Sequence, residues 1–121
     1  MKPKITIKEH YILVEPREAE LWEILEGLNT LFQHPEFPYK HTIWNFSEGP
    51  LKITYEDLYN IKDFIAVNFP EQIKPNKKIA IVAPTGLYSA LATEYSKIVE
   101  DFPIEIRVFP DLDAAEEWIS A

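Results

Sequence analysis

Apolar positions along this chain follow two rhythms, a strand-like alternation and a helical spacing, in regular succession. Ile5-Thr6-Ile7-Lys8 and Tyr11-Ile12-Leu13-Val14 are β-rich runs separated by Glu9-His10, a spacing that predicts a tight antiparallel hairpin. The second run is almost continuously apolar, as an interior strand is. Leu21, Ile24, Leu25, Leu28, Leu31 and Phe32 then recur at helical spacing. Pro16 is the expected start of that helix, with Glu18 and Glu20 in a first turn where the macrodipole favours acids. Pro35 and Pro38 end it.

Thr42-Ile43-Trp44-Asn45-Phe46 reads as a short strand, followed by the loop Ser47-Glu48-Gly49-Pro50. Thr54 is the expected cap of a second helix, with Asp57 placed for a capping box and Leu58, Ile61 and Ile65 as the inward stripe. After a polar loop from Pro70 to Asn76, Lys78-Ile79-Ala80-Ile81-Val82 reads as a buried strand. Leu87, Ala90, Leu91, Ile98 and Phe102 give a third helix its face. Ile104, Ile106 and Val108 alternate with Glu105 and Arg107, as on a sheet edge with one wet face. Asp113 is expected to cap a last helix, Ala114 to Ser120, that docks through Ala115, Trp118 and Ile119.

The order β-β-α-β-α-β-α-β-α predicts an α/β fold occupying residues 1–121 as a single domain. Its sheet is mostly parallel and five-stranded, with an antiparallel N-terminal strand and right-handed crossovers. A length of 121 residues and a hydrophobic fraction of 46% suffice for one such core. The absence of cysteine removes disulfides, thiolate nucleophiles and Cys-ligated zinc. A net charge of −8, with no basic cluster beyond Lys77-Lys78, argues against a nucleic-acid partner. No run approaches the ~18 apolar residues of a membrane span, so the expectation is a soluble cytoplasmic protein without integral membrane insertion.

Candidate chemistry is sparse. Residues 83–92 read A-P-T-G-L-Y-S-A-L-A, a strand turning into a helix where many α/β proteins hold phosphate. The glycines and lysine of a Walker loop and of a dinucleotide fingerprint are missing, so Pro84-Thr85-Gly86 reads first as a turn capped by Thr85. Ser89 lacks the flanking glycines of a nucleophile elbow. His10, His34 and His41 have no metal-ligand spacing, and no metal or cofactor is expected. The acid pairs Glu18/Glu20, Glu56-Asp57 and Glu116-Glu117 sit at helix starts, where dipoles explain them. Trp44 and Trp118 read as core and Trp22 as partly exposed. Phe37-Pro38-Tyr39 either pins a loop or lines an apolar surface.

The second half carries a cadence: Lys78 to Val82, Gly86-Leu87 opening a helix that contains Tyr95, then Arg107-Val108-Phe109-Pro110-Asp111 and Ala115-Glu116-Glu117-Trp118-Ile119. This resembles the STAS-like proteins of the anti-sigma-factor-antagonist superfamily, in particular the small bacterial branch whose fold is shared with CRAL-TRIO lipid-transfer domains. The resemblance runs from Tyr11 onward and implies a right-handed superhelix of βα units. Partner-switching members carry a phosphorylated serine in Asp-Ser-x-Gly at the start of the second helix. The matching stretch is Ile53-Thr54-Tyr55-Glu56-Asp57-Leu58, which offers Thr54 or Tyr55 as phosphoacceptor but lacks the serine and glycine. Asn45 stands where the small branch often has Asp.

The resulting expectation is a non-catalytic regulatory or small-ligand-binding domain. Open α/β sheets bind at the carboxyl ends of their strands, which nominates Asn45, Phe46, Ser47, Thr85, Gly86 and Asp111. A rim without cations suits an apolar or amphipathic small molecule or a protein partner. Self-association through the edge strand 104–109, giving a homodimer, is one route the resemblance allows. The competing classes are a phospho-regulated partner switch and a small hydrolase-like enzyme using Ser47 or Thr85 with His41.

Overall fold

The computed structural model describes residues 2–47, 50–70, 76–83 and 86–121. Five strands, β1 (Lys4–Ile7), β2 (Tyr11–Glu15), β3 (His41–Asn45), β4 (Lys78–Val82) and β5 (Glu105–Phe109), lie in one sheet in that order. β1 pairs antiparallel with β2, and every other pairing is parallel. The helices are α1 (Leu21–Gln33), α2 (Tyr55–Asn68), α3 (Gly86–Ile98) and α4 (Leu112–Ser120), with a 3-10 turn at Phe37–Tyr39. The α/β class and topology read from the sequence are those of the molecule. Among the described residues no helix is long and apolar enough to cross a membrane.

Strand alternation assigns the two faces. Ile12 and Val14, Thr42 and Trp44, Ile79 and Ile81, Ile106 and Val108 are aligned by register and point to one side. There they meet apolar side chains of α1, α2 and α3, including Ile24, Leu28, Leu31, Ile61, Ile65 and Ala92. The opposite side carries Leu13, Ile43, Ala80 and Val82, and α4 covers it through Ala115 and Ile119. All three parallel crossovers advance in one direction with their helices on one face, so they share one hand, the right-handed one that βα units adopt. Trp118 is half-buried on the α4 side, tilted against Phe109 at 5.5 Å and flanked by Lys78 and Arg107 at 5.1 and 5.3 Å from its ring. The wet face expected of β5 is therefore partly dressed by α4.

Two element starts differ from the sequence reading. α1 opens at Leu21, not Pro16. Glu23, on the first turn, is 1% exposed and turns its carboxylate back on the preceding segment. It accepts N–H bonds from Arg17 (2.9 Å), Glu18 (3.1 Å) and Ala19 (2.7 Å). Those bonds hold residues 17–19 in a turn, with Ala19 at φ 50°, and Glu20 bridges to Lys52 in extended geometry. Glu18 and Glu20 thus precede the helix. α4 is capped by Asp111, not Asp113: Asp111 Oδ1 accepts the Ala114 N–H at 2.8 Å. At α2 the expected box forms in full, with Thr54 Oγ1 accepting from Asp57 N–H and Asp57 Oδ2 from Thr54 N–H.

Candidate functional site

At the carboxyl rim the register places Glu15, Asn45, Val82 and Phe109 side by side on the α4 side of the sheet. Asn45 is buried. Its Oδ1 accepts from Ser47 N–H (3.0 Å) and from the Ser47 hydroxyl (2.6 Å), and its Nδ2 donates to Glu15 at 3.4 Å. This is an Asx-type turn that ends β3. Phe46, one residue on, points to the other side and stacks on Trp44 at 6.1 Å. Asp111 spends one carboxylate oxygen on its helix cap. Gly86 opens α3 with free space where a side chain would stand. Thr85 and the side chain of Leu87 lie outside the described residues. The nominated rim residues are therefore divided between the two sides of the sheet, with Asn45 joined to Ser47 and Phe46 on its own.

Phe46 leads into a partly open cavity of about 70 Å³ between the sheet and the layer of α1, α2 and α3. Its floor is Thr42, Trp44, Ile79 and Ile81. The helices contribute Ile24, Leu28, Leu58, Ile61, Leu91 and Tyr95 among others, and Phe46, Leu51, Ile53 and Tyr88 reach it from the rim side. Its far end is aromatic: Phe32 packs on Phe37 at 5.3 Å and on Phe69 at 5.5 Å. Among the described residues no charged side chain lines it, and its polar side-chain groups are the hydroxyls of Thr42, Tyr88 and Tyr95 and the indole N–H of Trp44. The Tyr88 hydroxyl accepts the Leu51 N–H at 3.0 Å, tying the β3–α2 connection to α3. Burial raises the Tyr95 phenol above its ordinary pKa, as expected where an anion would lose its hydration. Thr42 is fully buried, and its Oγ1 has no hydrogen-bond partner among the described residues.

The size and lining decide what such a space can hold. A volume of 70 Å³ exceeds the ~30 Å³ share of one water in the liquid, and is about half the ~150 Å³ of a cavity that admits benzene. Water needs two to four polar partners to be stable inside a protein. Among the described residues no protein group is within hydrogen-bond reach of the Thr42 hydroxyl.

Other polar groups in the fold are committed to structure. Lys77 is fully buried. Its ammonium donates to the Phe37 carbonyl at 2.9 Å and to the Lys40 carbonyl, and lies 3.9 Å from the Phe37 ring centre. It thereby clamps Phe37, 1% exposed, at the end of the cavity, while Tyr39 beside it is 72% exposed. A wider hollow of about 460 Å³ at the amino rim gathers Glu9, His10, Glu36, Tyr39, Lys40 and His41. His41 Nδ1 accepts the Lys78 N–H at 2.9 Å, and Lys40 pairs with Glu36 at 2.8 Å, which holds the Glu36 carboxyl below its ordinary range. Among the described residues no group of three or more His, Asp or Glu side chains can hold a metal.

The proposed pairing of Ser47 with His41 fails on geometry. His41 begins β3 and Ser47 lies beyond its far end, a strand of about 13 Å between them. Thr54 uses its hydroxyl in the α2 cap, and Tyr55 is half exposed beside it. A phosphate on Thr54 would face the Asp57 carboxylate and break that cap.

Of the nominated rim residues that the structure describes, Phe46 alone lines the cavity. The remaining lining residues appear in the sequence as ordinary inward stripes of separate elements. The one signal was Thr42, a hydroxyl in an otherwise apolar strand stripe. Comparison of the chain with protein-family models, with curated proteins and with solved structures finds no match, so any functional reading rests on this geometry.

Proposed function

We propose that this protein is a non-catalytic binding domain that holds a small uncharged, mainly apolar molecule between its three-helix layer and its sheet. The observation that carries the reading is the cavity itself: a void over the sheet, lined by apolar and aromatic side chains and continued to the rim by Phe46, Leu51, Ile53 and Tyr88. Ligand pockets are mostly apolar with a few placed polar groups, and an unpaired charge in such a space is strongly disfavoured. The separation of Ser47 from His41 supports the non-catalytic part. The consecutive strand order with three crossover helices on one face supports the STAS-like resemblance. A protein partner is the second reading, supported by Tyr55 and Tyr59, which stand one turn apart on α2 and are both about half exposed.

Methyl-resolved NMR with 1-chloropropane as probe tests the first reading. Methyls of Ile61, Ile65, Ile79 and Ile81 are expected to shift together on titration, while those of Leu13, Ile43 and Ile119 under α4 stay in place. Shifts confined to the α4 side, or to neither side, overturn it.

A further inference from the structure

We infer that Thr42 is the polar anchor of this cavity and that its ligands are short aliphatic molecules carrying one hydroxyl or carbonyl oxygen. The inference rests on the cavity reading above and adds a chemical class to it. Thr42 is fully buried on β3 among the residues around the cavity, the strand register turns its side chain toward the helix layer, and its Oγ1 is the one buried side-chain polar atom without a partner among the described residues. A valine would fill the same space on a parallel strand without that cost. An unmade hydrogen bond at a buried hydroxyl is unfavourable, and a guest that supplies the missing partner removes the penalty.

The rest of the lining narrows the guest. Tyr88 already receives the Leu51 N–H, Tyr95 adds a second phenol, and among the described residues no lysine, arginine, aspartate or glutamate reaches the cavity. Against this described lining an ionised carboxylate or ammonium would enter without a counter-charge, which disfavours both. A hydroxyl or carbonyl oxygen meets the Thr42 hydroxyl, which donates and accepts equally well. The hydrocarbon part then lies against Ile61, Ile65, Ile79 and Ile81. At about 70 Å³ the unexpanded space takes only a few heavy atoms, so the guest is short.

The test compares 1-propanol with 1-chloropropane, similar in shape but differing in the hydroxyl, by NMR titration of wild type and Thr42→Val. The expected result is that Thr42→Val weakens 1-propanol about tenfold while 1-chloropropane binds equally well or better. Equal changes for both probes, or no change for either, overturn the anchor and leave the cavity reading standing. Binding of 1-chloropropane but not 1-propanol by wild type does the same. Failure of both probes to bind either protein overturns the anchor and the cavity reading together. Circular dichroism of Thr42→Val, expected to match wild type, establishes that the comparison is made between folded proteins.

Discussion

Glu23 is the side chain on which the junction between β2 and α1 is expected to depend most. Its carboxylate is buried, with Oε1 accepting the Glu18 and Ala19 N–H groups and Oε2 the Arg17 N–H. Glu23→Gln keeps the shape and one acceptor oxygen. With that oxygen kept on Glu18 and Ala19, the new amide N–H groups face the Arg17 N–H, donor against donor. A hydrogen bond to a charged group contributes about 1.5–3 kcal/mol, and a neutral one about 0.5–1.5. Losing one such bond and weakening two, offset by easier burial of a neutral amide, gives a net cost of about 2 kcal/mol. Glu23→Ala removes every acceptor. Arg17 and Glu18 are exposed, so water can satisfy their amides, whereas Ala19 is buried and its N–H is orphaned while Ala19 still has to hold φ 50°. That cost is about 3 kcal/mol, or roughly 10 °C in Tm for a domain of this size. Urea denaturation of the two variants at neutral pH measures both. Equal midpoints for Glu23→Ala and wild type would refute the account of the junction, and with it the reason α1 starts at Leu21.

Three further outcomes follow from the packing. Asp111→Ala is expected to cost about 1 kcal/mol by removing the α4 cap, with Asp113→Ala costing clearly less; the opposite ranking in denaturant midpoints would restore Asp113 as the cap. Gly27 lets α1 approach the sheet, since a Cβ there would lie 2.9 Å from Pro3 Cγ and 3.1 Å from the Trp44 ring. Gly27→Val is therefore expected to destabilise by about 2 kcal/mol despite its better helix propensity, and a stabilised variant would contradict this. Burial, together with a hydrogen bond to the Glu116 carboxylate, pushes the Tyr11 phenol up from 10.0 to about 12. Between those values the unfolded chain releases that proton and the folded chain keeps it, so this contribution is complete below pH 10 and is lost as pH rises towards about 12. Tyr11→Phe is expected to flatten that alkaline decline in urea midpoints, and an unchanged slope would refute the coupling.

Much of the fold was legible because strands and helices differ in period. The runs Tyr11 to Val14 and Lys78 to Val82 could hardly be anything but interior strands, and the Thr54/Asp57 spacing announced its own cap. The start of α1 was not legible in the same way. Pro16, Glu18 and Glu20 have the composition of a first helical turn, and only the folding back of Glu23 shows that they form a bonded loop instead. Asp111 and Asp113 are both good caps by type, and the choice depends on which one reaches the Ala114 N–H. The division of Asn45 from Phe46 was implicit in strand alternation, as was the distance of His41 from Ser47. The cavity was not implicit in any local pattern. It arises where stripes from α1, α2, α3 and the sheet leave space between them, and each stripe taken separately looks like plain core.

The central claim, that the protein carries a small uncharged molecule in that space, is tested most directly by native mass spectrometry of protein purified from its source without organic solvent. The account predicts a population heavier than the polypeptide by the mass of one small molecule, released on denaturation and recovered as a neutral organic compound. A polypeptide at its bare mass before and after denaturation would contradict it.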